Sequence, residues 1–205
     1  MININPFFLA HSEFVLNKNY YIEYNKYSKI ENEKLDNFIS NIGGTSFENG
    51  LFRIHTKGSE YIWSQVINEF FPFYKNKYTL FGYDWMGRHY AVSRNPFDKI
   101  IYMFDDSVNK VYELEQNIEN FFNEDLVEYC DETLNMPIFR QLEIIKLDNE
   151  KCYSFKKPLS LGGLDEITNY TLSDMMVAWN INYQLHNNLI DKKEGQLINK
   201  INMSF

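Results

Sequence analysis

Four short segments between residues 77 and 114 alternate apolar and polar side chains with a period of two. The segments are "YTLFGY", "RHYAVSR", "IIYMF" and "KVYEL". Turn-forming stretches separate them at residues 84–87, 95–96 and 107–109. Period two is typical of β-strands, and connections this short join antiparallel neighbours. The pattern therefore predicts an antiparallel meander of four strands at the centre of the fold.

Helical periodicity precedes this meander. Apolar residues recur at helical spacing at Leu35, Phe38, Ile39 and Ile42. Ser28 and Glu31 have the spacing of a capping box, which predicts the start of this helix. Gly43 and Gly44 should end it, one of them in the left-handed conformation. Asn49-Gly50 marks a tight turn before a short strand, and a second helix should begin near Ser59 and end at Pro72.

Helices and strands also follow the meander. Residues 117–146 have helical spacing, and "KCYSFKKPLSL" predicts an edge strand. Near the N-terminus, "NYYIEY" predicts a first strand. "TLSDMMVAWNINYQLHN" carries one apolar stripe that Val177, Ile181 and Leu185 widen, which predicts a helix that packs on two sides. Because helices and strands are segregated along the chain, the fold class is α+β. We expect a central antiparallel sheet of about four to six strands flanked by helices.

Composition limits the classes of function. The 205 residues carry a formal net charge of −8 and only two cysteines, Cys130 and Cys152. A negative chain repels phosphate backbones, so direct nucleic-acid binding is disfavoured. Two cysteines cannot form a disulfide framework, and the start "MININPFFLAHSEF" lacks the basic segment of a signal peptide. These features, and the absence of a membrane-length apolar run, predict a cytoplasmic protein.

Motifs for metal or nucleophilic chemistry are absent from the sequence. The four histidines are His11, His55, His89 and His186, and none has a second ligand at metal-binding spacing. Acidic neighbours of Cys130 should raise its pKa and reduce its nucleophilicity. We therefore expect no catalytic residues, no metal and no cofactor.

Two pairs of carboxylates are candidates for acid–base work or for binding a partner. They are Asp105-Asp106 and Glu124-Asp125. On a continuous strand Asp105 and Asp106 would point to opposite faces, so they could converge on one ligand only at a turn. A solvated strand end or a helix cap is the favoured role for such pairs.

The stretch "DWMGR" joins the first two strands of the meander. Gly87 permits the unusual backbone angles of a hairpin connection, and Asp84 can bind the turn backbone. Trp85 and Arg88 can complete a core, or they can anchor a partner, since Trp and Arg dominate binding hot spots. A structural role is favoured, and both alternatives stay open at this point.

Several of these segments together resemble a known family. In order they are "GGTSFENGLFRIHT", "FGYDWMGRHYAVSR", "IYMFDDSVNKVYELEQNIENFFNEDL" and "KKPLSLGGLDEITNYTLSDMMVAWNINYQL". They resemble the bacterial type VI secretion immunity proteins with a GAD-like region, which are distantly similar to the SUKH immunity superfamily. The resemblance covers about residues 35 to 187. Its fold-signature positions here are Gly43, Gly44, Gly87, Leu161, Gly162, Gly163, Asp174 and Trp179, with Asn169 and Gln184 in the same pattern.

The resemblance implies four regions. Residues 1–30 would be an N-terminal extension, 31–134 a GAD-like α+β region, 135–190 a C-terminal immunity-type region on the same core, and 191–205 a tail.

It also implies a non-enzymatic protein that neutralises a cognate protein toxin, such as a nuclease. Separately, the acidic charge of the chain would suit a toxin with a basic surface. The protein would act without binding a membrane, as a monomer or weak homodimer. The predicted partner-binding residues are Asp84, Trp85, Arg88, Asp105, Asp106, Glu124 and Asp125.

Two other functions stay open from the sequence. The aromatic-rich chain could form a small-ligand-binding or regulatory module of the same fold. It could also be a hydrolase that uses Asp105, Asp106 and His89, although the failed motif search disfavours this.

Overall fold

The computed structural model describes residues 2–192. Seven strands form one antiparallel sheet in which the spatial order follows the chain from β1 to β7. They are β1 (Phe14–Leu16), β2 (Thr45–Phe47), β3 (Phe52–Ile54), β4 (Tyr78–Asp84), β5 (His89–Ser93), β6 (Ile101–Asp105) and β7 (Lys110–Leu114). A second antiparallel sheet pairs β8 (Lys151–Phe155) with β9 (Tyr170–Asp174).

Helices lie before, between and after these strands. They are α1 (Asn5–Ala10), α2 (Glu33–Ile42), α3 (Lys57–Phe70), α4 (Ile118–Asn120), α5 (Cys130–Thr133), α6 (Met136–Gln141) and α7 (Met175–Leu189). A π-helical turn at Phe121–Asp125 continues α4. The α+β class and the central meander are confirmed.

The predicted strand number was too low, because the main sheet has seven strands rather than four to six. β1 and β2 have three residues each, which is too short for a period-two pattern to stand out. The segment "NYYIEY" is not a strand, since it forms a turn followed by a 3-10 helix at Ile22–Tyr27. The first strand is instead the exposed "FVL" of β1 at the sheet edge.

Several helix ends differ from the sequence prediction. Asn32 caps α2 by accepting a hydrogen bond from the Leu35 amide, so Ser28 is not the cap. The Ser28 hydroxyl donates instead to Glu60. Thr56 and Ser59 form a capping box at the start of α3.

Two glycine positions behave as predicted. Gly44 has a φ of +86°, which confirms a left-handed residue after α2. Asn49 and Gly50 both have positive φ at the tight turn.

The sheet separates two apolar clusters. One contains Phe52, Phe81 and Tyr90 with residues of α2 and of the helical segment after β7. The other contains Tyr83 and Phe104 with residues of α3 and α7. Adjacent residues such as Leu80 and Phe81 of β4, or Tyr90 and Ala91 of β5, belong to different clusters, because successive strand side chains point to opposite faces.

The terminal regions contribute to this architecture as well. Phe7 is buried in the first cluster, and β1 pairs with β2. Met136, Phe139 and Leu147 belong to the same cluster. No helix within residues 2–192 is long and apolar enough to cross a membrane. Residues 193–205, most of the predicted tail, lie outside the described residues.

Candidate functional site

The hairpin between β4 and β5 is organised around one buried carboxylate. Asp84 is 0% exposed, and its Oδ1 accepts hydrogen bonds from the backbone amides of Met86 (2.9 Å) and Arg88 (3.1 Å). Its Oδ2 accepts from Arg88 Nε at 2.6 Å and from the Tyr90 hydroxyl at 3.0 Å. Gly87 supplies the φ of +83° that the turn needs. Asp84 therefore fixes both the turn backbone and the Arg88 side chain.

Trp85 faces the core. Its side chain is fully buried, and its Nε1 donates to the Leu134 carbonyl at 2.6 Å. Its ring packs against Phe139 and Tyr170. Trp85 thus joins the hairpin to the segment after residue 130, and in this structure neither Trp85 nor Asp84 offers surface to a partner.

The Arg88 side chain extends from this buried network to the protein surface. Its Nη2 donates to the Thr133 carbonyl at 2.7 Å, while Nε binds Asp84. The same side chain lines a cleft of about 440 Å³ between the β4–β5 hairpin, α5 and the β8–β9 sheet. Because Asp84 already pairs with the guanidinium, Arg88 adds little free positive charge to this cleft.

The cleft is lined mainly by acids and aromatic rings. The carboxylates that line it are Asp105, Asp106, Asp131, Glu132 and Asp165. The aromatic rings are Tyr112, Tyr153, Phe155 and Tyr170. Carboxylates attract a cation, and aromatic faces add a further attraction for a guanidinium or ammonium group. The arrangement therefore suits a positively charged ligand. We name it the acidic cleft.

Asp105 and Asp106 reach the same cleft because the chain turns between them. β6 ends at Asp105, and Asp106 begins the turn before β7. The expectation of a solvated strand end was wrong, since the two residues are only 9% and 7% exposed. Asp105 accepts hydrogen bonds from Ser107, and Asp106 accepts one from the side-chain amide of Asn182 at 2.7 Å.

Asp106 has an unusual protonation equilibrium. Burial, followed by the neighbouring Asp105 charge, raises its pKa to about 8. Asp106 is therefore mostly neutral near pH 7. A cation placed in the acidic cleft would favour the ionised form, so binding of a cation should release a proton.

The wall of the cleft after β8 depends on two glycines and one asparagine. Gly162, with φ +79°, follows the 3-10 turn that contains Leu161. A Cβ at Gly163 would lie 1.9 Å from the Lys157 carbonyl oxygen, so only glycine fits there. The Asn169 amide donates to the carbonyls of Lys157 and Leu164 and fixes the loop that carries Asp165.

The fold resembles that of a solved protein. It is similar to Atu4351 from Agrobacterium tumefaciens, whose crystal structure aligns over 89% of each chain with 18% sequence identity and a TM-score of 0.58. At this identity the similarity shows the fold alone. No protein-family model matches the chain, and no curated protein matches it.

The remaining predicted residues lie elsewhere. Glu124 is exposed on the π-helical turn, and Asp125 accepts a hydrogen bond from Gln116. Neither lines the acidic cleft. The partner-binding prediction therefore spans two separate surfaces, and the one at Arg88, Asp105 and Asp106 lies in the acidic cleft.

His89 lies in the interior rather than in the cleft. Its Nδ1 is 3.1 Å from Nε2 of His55, and its ring packs on Trp63. Burial lowers the pKa of both imidazoles, that of His55 to about 3. Asp105 and Asp106 line the cleft, but His89 does not. The grouping of these three residues that a hydrolase would need is therefore not present there.

Two features escaped the sequence analysis. The His55–His89 pair joins β5 to the end of β3, and no local spacing signals it. Arg53 is fully buried, and it donates to the carbonyls of Asp84, Asp148 and Lys151 while stacking on Tyr83. Strand alternation alone would turn its side chain toward solvent, because Phe52 and Ile54 on either side face the core. Among residues 2–192 no group of three or more His, Cys, Asp or Glu could hold a metal ion.

Proposed function

We propose that this chain is a non-enzymatic, cytoplasmic immunity-type protein that binds and neutralises a cognate secreted bacterial toxin. The observation that supports this most is the acidic cleft, where five carboxyl groups and four aromatic rings line one cavity together with an arginine whose charge Asp84 already balances. A toxin that acts on nucleic acid has a basic active-site surface. A concave acidic surface is complementary to it in both shape and charge.

The cleft is also preorganised, which favours tight binding. Arg88 and Asp105 are each held by hydrogen bonds, and Asn182 holds Asp106. A partner then loses little free energy in ordering these side chains. Exposed Glu132 and Asp131 at the rim would act mainly on the rate of association and on its salt dependence.

The proposal is tested by co-expression with the toxin-like product of a neighbouring gene. Growth should be rescued, and the two proteins should co-elute in gel filtration. If growth is not rescued and the two proteins do not co-elute, the proposal is wrong for that pair.

A matched pair of variants locates the contact. Glu132→Lys reverses an exposed charge in the cleft, and Glu124→Lys makes the same change on an exposed turn outside it. Rescue should weaken for the cleft variant only. Equal rescue by both variants would place the toxin contact elsewhere.

A second candidate function is a small-ligand-binding or regulatory module. The volume of about 440 Å³ favours it, because such a cleft can enclose a small organic cation. A thermal-shift series with spermidine, agmatine and arginine amide tests it, since a ligand of the native state must raise the melting temperature. No shift at millimolar concentrations would contradict this alternative.

A further inference from the structure

The last helix has a second apolar face that the rest of the chain covers only in part. Its first face carries Met175 and Trp179, which are fully buried against the sheet. The second face carries Val177 and Ile181, and Val177 is 51% exposed. The first apolar face of the helix is therefore fully covered by the sheet, whereas the second face is only partly covered.

This second face lines a groove. Val177, Ile181 and Leu185 form one side, and Phe155, Pro158 and Leu161 form the other. The groove has a volume of about 320 Å³, and the paired hydroxyls of Ser154 and Ser173 lie along the β8–β9 sheet between its sides. Its one charged lining residue, Lys156, donates to the Thr168 carbonyl. We name it the apolar groove.

The apolar groove adjoins the acidic cleft. Ser154, Phe155 and Asn182 line both cavities. A bound segment can therefore place one side chain among the carboxylates and the next among the apolar residues. The charge of the cleft selects a cationic side chain, and the groove selects an aliphatic one.

We propose that the acidic cleft and the apolar groove together bind one segment of a partner protein, in which an arginine or lysine stands beside aliphatic side chains. This inference rests on the proposed function and specifies the chemistry of the toxin segment. The cation would provide orientation and selectivity, and burial of the aliphatic side chain would provide most of the affinity.

Three capped tripeptides test the proposal by NMR titration of the full chain. They are acetyl-Leu-Arg-Leu-amide, acetyl-Gly-Arg-Gly-amide and acetyl-Leu-Glu-Leu-amide. The leucine–arginine peptide should bind about tenfold more tightly than the glycine–arginine peptide, since burying one leucine contributes at least about 1.4 kcal/mol. The glutamate peptide should bind most weakly.

Two variants of the helix serve as probe and control. Val177→Asp adds a charge within the apolar groove, at a first-turn position where an acidic residue is favourable for the helix. Asn180→Asp adds the same charge on the exposed side of the same helix. The first variant should remove the advantage of the leucine–arginine peptide, and the second should keep it.

Equal affinities of the two arginine peptides, or an unchanged advantage in Val177→Asp, would overturn the inference. Failure of both arginine peptides to bind would overturn it as well. Rescue from the toxin in co-expression would still support the proposed function in these cases, so the two failures are distinguishable.

Discussion

Removal of the Asp84 carboxylate should destabilise the protein strongly. Asp84 is fully buried and accepts four hydrogen bonds, two from backbone amides and two from the side chains of Arg88 and Tyr90. Asp84→Ala leaves these donors without their acceptor and leaves the guanidinium without its counter-charge. Breaking a buried pair in this way costs about 3–5 kcal/mol.

A double-mutant cycle separates this pair from simple cavity formation. Arg88→Met removes the charge and keeps an apolar side chain of similar length. The double variant Asp84→Ala, Arg88→Met should lose less stability than the sum of the single variants, by about 1–3 kcal/mol. Urea unfolding followed by tryptophan fluorescence measures each free energy.

The control is Asp148→Ala, a change at an exposed carboxylate that pairs with Lys146. It should alter the free energy of unfolding by less than about 0.5 kcal/mol. A buried Asp84–Arg88 pair is inconsistent with a loss in Asp84→Ala as small as that in the control, or with losses in the two single variants that simply add.

Four further predictions concern pH and the turn. Burial raises the pKa of Asp106 to about 8, so the folded state holds a proton that the unfolded state releases above about pH 4. Stability therefore falls as the pH rises from 4 to 8, and Asp106→Asn should flatten this fall in urea midpoints. The same equilibrium predicts that the glycine–arginine peptide binds more tightly at pH 9 than at pH 6; an unchanged affinity would contradict it. The buried His55 and His89 have lowered pKa values, so protonation of the unfolded state reduces stability as the pH falls below about 6.5. His89→Gln removes one titrating ring and should give a shallower acid dependence in circular dichroism. Gly87→Ala places a Cβ 3.2 Å from the Cys152 side chain at a φ of +83° and should lower the free energy of unfolding by about 1–3 kcal/mol in the same urea assay.

The sequence predicts those parts of the fold that depend on local pattern. β4 to β7 show alternation over five to seven residues each, and short turns join them. Three-residue β1 is held by its pairing with β2, about 30 residues away, so its local pattern is too short to reveal it. Residues 170–174 continue the apolar spacing of α7, yet they pair with β8 as a strand, since tertiary pairing overrides helical propensity.

The candidate site is less predictable because it is built from distant segments. Asp105 and Asp106 were identified from the sequence, but their convergence depends on where β6 ends. Asp165 and Asn182 reach the cleft only through the loop after β8 and the placement of α7. Alternation alone would place Arg53 on the solvent side of its strand, because the pattern assigns a residue to a face and does not show what covers that face.

The most direct test of the central claim is the affinity of the full chain for the cognate toxin, measured by calorimetry at two salt concentrations. Glu132→Lys should weaken binding roughly tenfold at low salt and less at high salt, because it reverses one charge near a basic ligand. Glu124→Lys, the matched reversal outside the acidic cleft, should leave the affinity within about twofold of wild type at both salt concentrations. Equal affinities for Glu132→Lys and wild type at low salt would contradict the claim that the acidic cleft is the toxin-binding site.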